Sequence, residues 1–402
     1  MNIKKLVRPE LIAMKSYTPI EPVEILVQQV EGKVIKLDGN ENPYGCSPKV
    51  SQAVADYPYY HIYPDPEQRK LREALQEYTG VDRQHIVCGS GSDELIDLVL
   101  RLFLEPGDRI IDCPPTFGMY PFSAEVCGGR VSDVPRKDED FALDIAGVKR
   151  ALDKRTKVIF IASPNNPTGN IIEEQELMEL VDTGRVVVID EAYFEFSGVT
   201  MAGLVPAYRN LIVLRTFSKW AGLAGFRIGY GIFPVEIADY LMKIKQPYNV
   251  NAAAQVAVLA SLSDLDYLHG NVNKIIAERE RLFGKLGVIA SGAKQSHWLK
   301  PYPSRANFIL CSLYRDSEPT PSVISRREIP RLSLRGTESR SNLLTGSEQA
   351  PQSPAKEIWR QLQQRGIFIR YFDTPRLKDC LRISVGRPED TDALVEALKE
   401  MC

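Results

Sequence analysis

Four stretches of this chain carry residue types that could do chemistry. In "TFSKWAGLAGFRIGY", residues 216–230, Lys219 stands among small and apolar residues, with Arg227 eight positions on. Lysine and arginine are rarely buried without a partner. A lysine held dry can lose its proton and attack a carbonyl; the bland alternative is a surface lysine on a glycine-rich loop. In "VVVIDEAYFEF", Asp190 ends a run of four apolar residues. Its carboxylate therefore belongs at the carboxyl end of a buried strand, the edge at which open α/β sheets bind ligands. The alternative there is an N-cap for the next helix. Tyr193, three residues on, is either a core aromatic or a hydroxyl aimed into the same crevice. "CGSGSDE" leads a strand through glycines into a helix whose first N–H groups and dipole favour an anion. "SPNNPTG", residues 163–169, is by itself only a loop at a strand end.

Alternating elements must bring these stretches together. "DRIIDC", "KVIFIAS", "RVVVID", "LIVLRT" and "FRIGYGIF" are short runs rich in Ile and Val, bounded by Gly, Pro, Asp or Ser. Separated by helical patterns, they predict a mostly parallel sheet covered on both faces. Leu95, Leu98, Val99, Leu102 and Phe103 recur at helical spacing, with Ser92 as the expected N-cap and "EPGD" as the stop. Beyond Val250 come longer helices, "AAAQVAVLASL" and "NVNKIIAERERLFGKL". They are followed by a strand "RANFILCSL", a helix "AKEIWRQLQQRG", strands "IFIRYF" and "CLRISVG", and a closing helix "EDTDALVEALKEM". The division expected is a segment 1–45 packing with a small domain, a large domain 46–260, and the small α/β domain 261–402. Residues 314–354, rich in Ser, Pro and Arg, read as a disordered insertion, and 287–300 as a second, shorter one.

Composition narrows the partners. The 402 residues are 44% hydrophobic and 25% charged, with a formal net charge of -2, ordinary for a globular chain with a sizeable core. No long charged run points to nucleic acid or a membrane surface, and no segment is long and apolar enough to span a bilayer. The seven cysteines lack CxxC spacing and the four histidines lack HxxxH or HxH spacing. That disfavours a disulfide framework and a metal centre, and leads us to expect reduced thiols in the cytoplasm. The N-terminus shows no secretory signal pattern.

Taken together, the four stretches supply a nucleophilic lysine, a carboxylate for a cationic ring nitrogen, a phosphate cradle and an arginine suited to bidentate phosphate contact. A pyridoxal phosphate site requires those parts. The chain resembles the fold-type I pyridoxal-phosphate aminotransferases and, within them, is similar to the histidinol-phosphate aminotransferase family, from about Val34 to Met401. The resemblance rests on "LDGNENPYG", "YPDPEQRKLREAL", "GSGSDELIDL", "DCPPTFGMY", "SPNNPTG", "IDEAYFEF", "LRTFSKWAGLAGFRIGYG", "KQPYNVN" and "LRISVGRPE". It implies an α/β fold in which a large domain holds a mostly parallel seven-stranded sheet flanked by helices, beside a smaller α/β domain.

The resemblance also implies roles. Lys219 forms the internal aldimine and later shuttles the substrate α-proton, while Asp190 pairs with the ring nitrogen. Asn166 and Tyr193 hydrogen-bond the phenolic oxygen, and Phe117 stacks on the ring. The Ser92 and Asp93 amides, Thr216, Ser218 and Arg227 hold the phosphate. Tyr63 of "IYPDP" reaches the neighbouring subunit's cofactor, which makes the working form a homodimer. Arg382 binds substrate carboxylate, Arg370 assists with substrate phosphate, and Asn42 lines the entrance. The implied activity is ping-pong amino transfer between L-histidinol phosphate and 2-oxoglutarate, giving imidazole acetol phosphate and L-glutamate in histidine biosynthesis. Guanidinium forks can take phosphate and carboxylate in turn. The alternatives are an aromatic amino acid aminotransferase or a phosphothreonine-type decarboxylase on the same apparatus and, more remotely, a non-catalytic ligand-sensing module. The 314–354 segment departs from the family pattern just upstream of Arg370.

Overall fold

Uninterrupted apolar runs become strands covered on both faces, because no polar side is left for water. The computed structural model describes residues 1–292, 297–315 and 353–401. Its strands are, in chain order, β1 (Ile35–Leu37), β2 (Ile86–Gly89), β3 (Arg109–Asp112), β4 (Arg130–Asp133), β5 (Thr156–Ala162), β6 (Val186–Asp190), β7 (Leu211–Thr216), β8 (Gly229–Ile232), β9 (His297–Pro301), β10 (Phe308–Arg315), β11 (Ile367–Tyr371) and β12 (Cys380–Ser384). Among the described residues they form two sheets.

The seven-stranded sheet runs β2-β8-β7-β6-β5-β3-β4. Its pairs are parallel except that β8 is antiparallel to both neighbours. Side chains alternate between two cores: Ile159, Val187, Ile189 and Val213 face one, Phe160, Val188, Ile212 and Leu214 the other. Register then sets the functional edge. Ala162 lies opposite Asp190, Asp190 opposite Leu214, and Thr216 opposite Gly229, which in turn faces Gly89. The ends of β5, β6 and β7, the start of β8 and the end of β2 therefore meet at one edge. This is the mostly parallel seven-stranded sheet that the family resemblance implies.

The helix Ser92–Phe103 buries Leu95, Leu98 and Val99 and ends before the Pro106–Gly107 turn. One detail corrects the sequence reading: Ser92 is the first helical residue, and the N-cap is Gly91 at φ 80°. The sharp turn out of β2 needs a left-handed residue, which glycine adopts freely.

The five-stranded sheet runs β1-β11-β12-β10-β9, with β1 parallel to β11 and the other pairs antiparallel. Segment 1–45 thus contributes a strand to the sheet built by the C-terminal chain. The long helix Leu265–Gly292 serves both units: Leu268, Val272 and Ile275 pack on the large core, Leu282, Leu286 and Ile289 on the small one. Residues 287–292 close this helix and 297–300 lie in β9, whose backbone pairs with β10, so most of the expected shorter insertion is regular structure. Of the expected 314–354 insertion, residues 316–352 lie outside the described residues. Tyr314 and Arg315 end β10, and Ser353 caps the helix Pro354–Gln364 through its Oγ.

Candidate active site

The end of β6 places Asp190 in a dry position, 4% exposed. Its Oδ2 accepts a hydrogen bond from the Tyr120 hydroxyl at 2.7 Å, and its Oδ1 accepts from Ala192 N–H at 3.1 Å. Burial pushes its carboxyl up to about 6, against the pull of those two donors. Tyr120 is held in turn by stacking on Phe160 at 4.8 Å and edge-on contact with Phe117 at 5.6 Å.

Lys219 follows β7 on the turn that leads to β8. Its Nζ donates to Gly39 O at 3.0 Å and lies 5.9 Å from the Tyr193 ring centroid. Burial, then the charge of Arg382, pushes the amine down to about 8. Asn42, expected at the entrance, directs Nδ2 to Trp220 O at 2.7 Å and accepts Tyr44 N–H at 2.9 Å on Oδ1. Its amide thereby clamps the peptide next to Lys219.

Tyr193 is buried, edge-on to Phe308 at 5.2 Å, and its hydroxyl accepts from Asn40 Nδ2 at 3.0 Å. Asn40 is a left-handed residue, φ 54°, fixed by Ser384 Oγ and Asn307 Nδ2. In "SPNNPTG" the two asparagines divide their labour. Asn165 is fully buried and braces the loop against Pro115 O, Thr116 and Thr168. Asn166 accepts from Arg382 Nη1 at 2.6 Å.

Arg382 and Arg370 are register partners on β12 and β11 and so project from the same sheet face. Arg382 is buried, also donates to Asp38 O, and keeps its Nε without a protein partner. Burial lowers its guanidinium to about 10. Arg370 donates to Thr18 O at 3.3 Å. The N-terminal segment thus crosses the crevice: Tyr17 lies against Gly118, beside Phe117, and the Arg8 guanidinium donates to Val126 O at 2.8 Å.

The cradle is formed by glycines. A Cβ on Gly229 would stand 2.6 Å from Ser92 N, and one on Gly91 2.6 Å from Arg227 Nη2. Arg227, itself left-handed at φ 53°, pairs with Asp93 at 3.0 Å. Thr216 Oγ1 donates to Ser218 Oγ at 3.0 Å and accepts Ser218 N–H at 3.1 Å. Tyr63 stands apart from this constellation, 77% exposed and stacked on Tyr248 at 4.4 Å. Sequence reasoning did not single out Tyr120, Asn40 or Tyr17. Tyr120 lies within the quoted "DCPPTFGMY" and Asn40 within "LDGNENPYG", which was the available signal.

A half-buried lysine, a buried carboxylate and a glycine cradle at the carboxyl edge of a doubly covered sheet together define a class of site. A family model described as aminotransferase class I and II matches residues 32–398, and the chain belongs to that family. It is 46% identical over 400 residues to a histidinol-phosphate aminotransferase of Dehalococcoides mccartyi, covering 100% of this chain and 99% of the relative. It is 42% identical to the chloroplastic histidinol-phosphate aminotransferase 1 of Arabidopsis thaliana, over 98% of this chain and 85% of that one. The solved histidinol-phosphate aminotransferase of Sinorhizobium meliloti, in complex with pyridoxal-5'-phosphate, superposes with a TM-score of 0.78 at 26% identity, covering 98% of this chain and 96% of that one. Within its class the chain belongs to the histidinol-phosphate aminotransferase family.

Proposed function

We propose that this chain is a pyridoxal-phosphate-dependent aminotransferase that interconverts L-histidinol phosphate and 2-oxoglutarate with imidazole acetol phosphate and L-glutamate, in histidine biosynthesis. The observation that carries the reading is the placement of half-buried Lys219 and buried Asp190 at one sheet edge, with Arg382 close enough for its charge to depress the lysine. Kinship with the histidinol-phosphate aminotransferases supports the substrate.

The residues fit pyridoxal phosphate. The Gly91–Gly229 cradle admits a phosphate to Ser92 and Asp93 N–H beside Arg227, and Thr216 and Ser218 bring hydroxyls to the same edge. Asp190 would hold the ring nitrogen, Phe117 one ring face, and Asn166 with Tyr193 the phenolic oxygen. Once bound, the cofactor supplies an electron sink that makes the substrate α-proton acidic. Lys219, its amine already lowered towards neutrality, would accept that α-proton on its Nζ and hold it for return. Arg382 and Arg370 present two guanidinium groups to a phosphate or a carboxylate, so one pocket can serve both substrates in turn. Asn42 keeps the lysine-bearing turn in place.

We further propose a homodimer in which Tyr63 completes the partner's site. The exposed Tyr59, Tyr60, Ile62 and Tyr63 form an aromatic surface of the kind interfaces bury. A division into units near 46–260 and 261–402, with 1–45 joining the second, is supported by β1 pairing with β11. No helix among the described residues is long and apolar enough to cross a membrane. The described cysteines are free thiols, which suits a reducing cytoplasm.

The experiment is a glutamate-formation assay with pyridoxal phosphate, L-histidinol phosphate and 2-oxoglutarate. Wild type should form glutamate and Lys219→Ala should not. Release of carbon dioxide, or a preference for aromatic amino acids, would overturn the substrate assignment.

A further inference from the structure

Several site residues have an immediate chain neighbour that turns away from the crevice, and these neighbours meet at one guanidinium. Arg215, directly before Thr216, is 3% exposed. Its Nε donates to Glu191 Oε2 at 3.0 Å, and its Nη2 lies 2.9 Å from the same carboxylate oxygen. Glu191 directly follows Asp190. The Arg215 Cζ stands 3.5 Å from the ring centroid of Phe194, which directly follows Tyr193. Its Nη1 donates to the Tyr230 hydroxyl at 3.1 Å, and Tyr230 directly follows Gly229, the residue that leaves room for Ser92 N. Glu191 is fully engaged in its turn, accepting Met201 N–H at 2.6 Å and the Thr200 hydroxyl at 2.7 Å.

Successive strand residues point to opposite faces, so this cluster acts from behind the crevice. A buried ion pair seldom adds net stability, because both charges lose their water. A planar fork with two fixed donors does fix geometry. We infer that Arg215 is a positioning residue for the active site: through Glu191, Phe194 and Tyr230 it sets the places of Asp190, Tyr193 and the phosphate cradle. The inference rests on the pyridoxal phosphate reading above. A displacement of about 1 Å can cost about 100-fold in rate, and such sites tolerate only about 0.5 Å.

The test compares four holoenzymes: wild type, Arg215→Lys, Glu191→Gln and Val213→Ala. Lysine keeps the charge and loses the fork. Val213, two residues upstream on the same face and fully buried, is a packing control outside the cluster. Arg215→Lys and Glu191→Gln should each lower kcat about 10-fold or more, with KM for histidinol phosphate within about threefold of wild type. Each should also move the midpoint of the pH titration of the bound cofactor's absorbance. Val213→Ala should lower Tm while leaving kcat and that midpoint unchanged. If Arg215→Lys does not fold, Glu191→Gln decides alone. Wild-type kcat and midpoint in the folded cluster variants would overturn the inference, and so would equal shifts in Val213→Ala. A wild type that binds cofactor but ignores histidinol phosphate would refute the substrate alone, leaving the midpoint comparison as the test. A wild type that takes up no cofactor would overturn both.

Discussion

The hydroxyl of Tyr120 lies 2.7 Å from Oδ2 of Asp190, and it joins a residue of the helix Met119–Val126 to the end of β6. This bond holds a carboxylate charged where burial alone would neutralise it.

Replacing Tyr120 by Phe should therefore raise the Asp190 pKa above its present value of about 6. A hydrogen bond to a charged group is worth about 1.5–3 kcal/mol, and one pKa unit about 1.4, so the shift is about one unit or more. Cofactor affinity of the apoenzyme, measured against pH, should fall at a higher pH in Tyr120→Phe than in wild type. Coincident curves would show that the bond does not tune Asp190.

Asp190→Asn gives the matching stability prediction. The folded carboxyl titrates near 6 against an ordinary value of 3.8, so between those values the native state binds more protons than the unfolded one. Stability is then lost as pH rises through that window. The apo variant should be more stable than apo wild type at pH 8 by about 1–3 kcal/mol, with the gap closing below pH 4. It should also bind pyridoxal phosphate poorly. Thermal unfolding of both apoproteins across pH checks the first half.

Arg382 lowers the Lys219 amine by its charge, second only to burial. Arg382→Gln should raise the lysine pKa, so that less free amine is present at pH 7 and cofactor capture slows. Stopped-flow absorbance against pH should show the midpoint displaced upwards from about 8. An unchanged midpoint would mean that the two charges do not communicate.

Gly229→Ala places a methyl group 2.6 Å from Ser92 N, a contact with backbone that cannot swing aside. Overpacking of this kind costs about 1–3 kcal/mol. The variant should lose about 10-fold or more in cofactor affinity as the cradle is displaced. Isothermal titration of the apoenzyme with pyridoxal phosphate measures it.

Mixed dimers test the exposed tyrosine. Lys219→Ala and Tyr63→Ala are each expected to be inactive or weak. If Tyr63 serves the partner's site, refolding them together should restore about one quarter of wild-type activity, since half the dimers then carry one intact site. No recovery would confine Tyr63 to its own subunit or to the surface.

Residues at strand ends were legible because apolar runs announce where a strand stops. Asp190, Asn166 and Lys219 all lie at or just beyond such ends. What escaped depends on partners remote in the chain: Tyr120 meets Asp190 across 70 positions, and Asn40 meets Tyr193 across 153. Arg215 escaped because a single arginine in "LIVLRT" looks like a strand end until Glu191 is seen beside it. β9 escaped because "HWLKP" has little apolar character and is held by its backbone pairing with β10. The N-cap went to Gly91 because the tight turn out of β2 needs a left-handed residue, a demand that a serine in the next position does not reveal.

The most direct measurement is the absorbance spectrum of the purified protein with pyridoxal phosphate, before and after adding L-histidinol phosphate alone. The lysine-bound cofactor band should form in wild type, be absent in Lys219→Ala, and convert to the amine form on addition of the substrate. A band that forms but is unchanged by histidinol phosphate would contradict the proposed substrate. A wild type without the band would contradict the role given to Lys219.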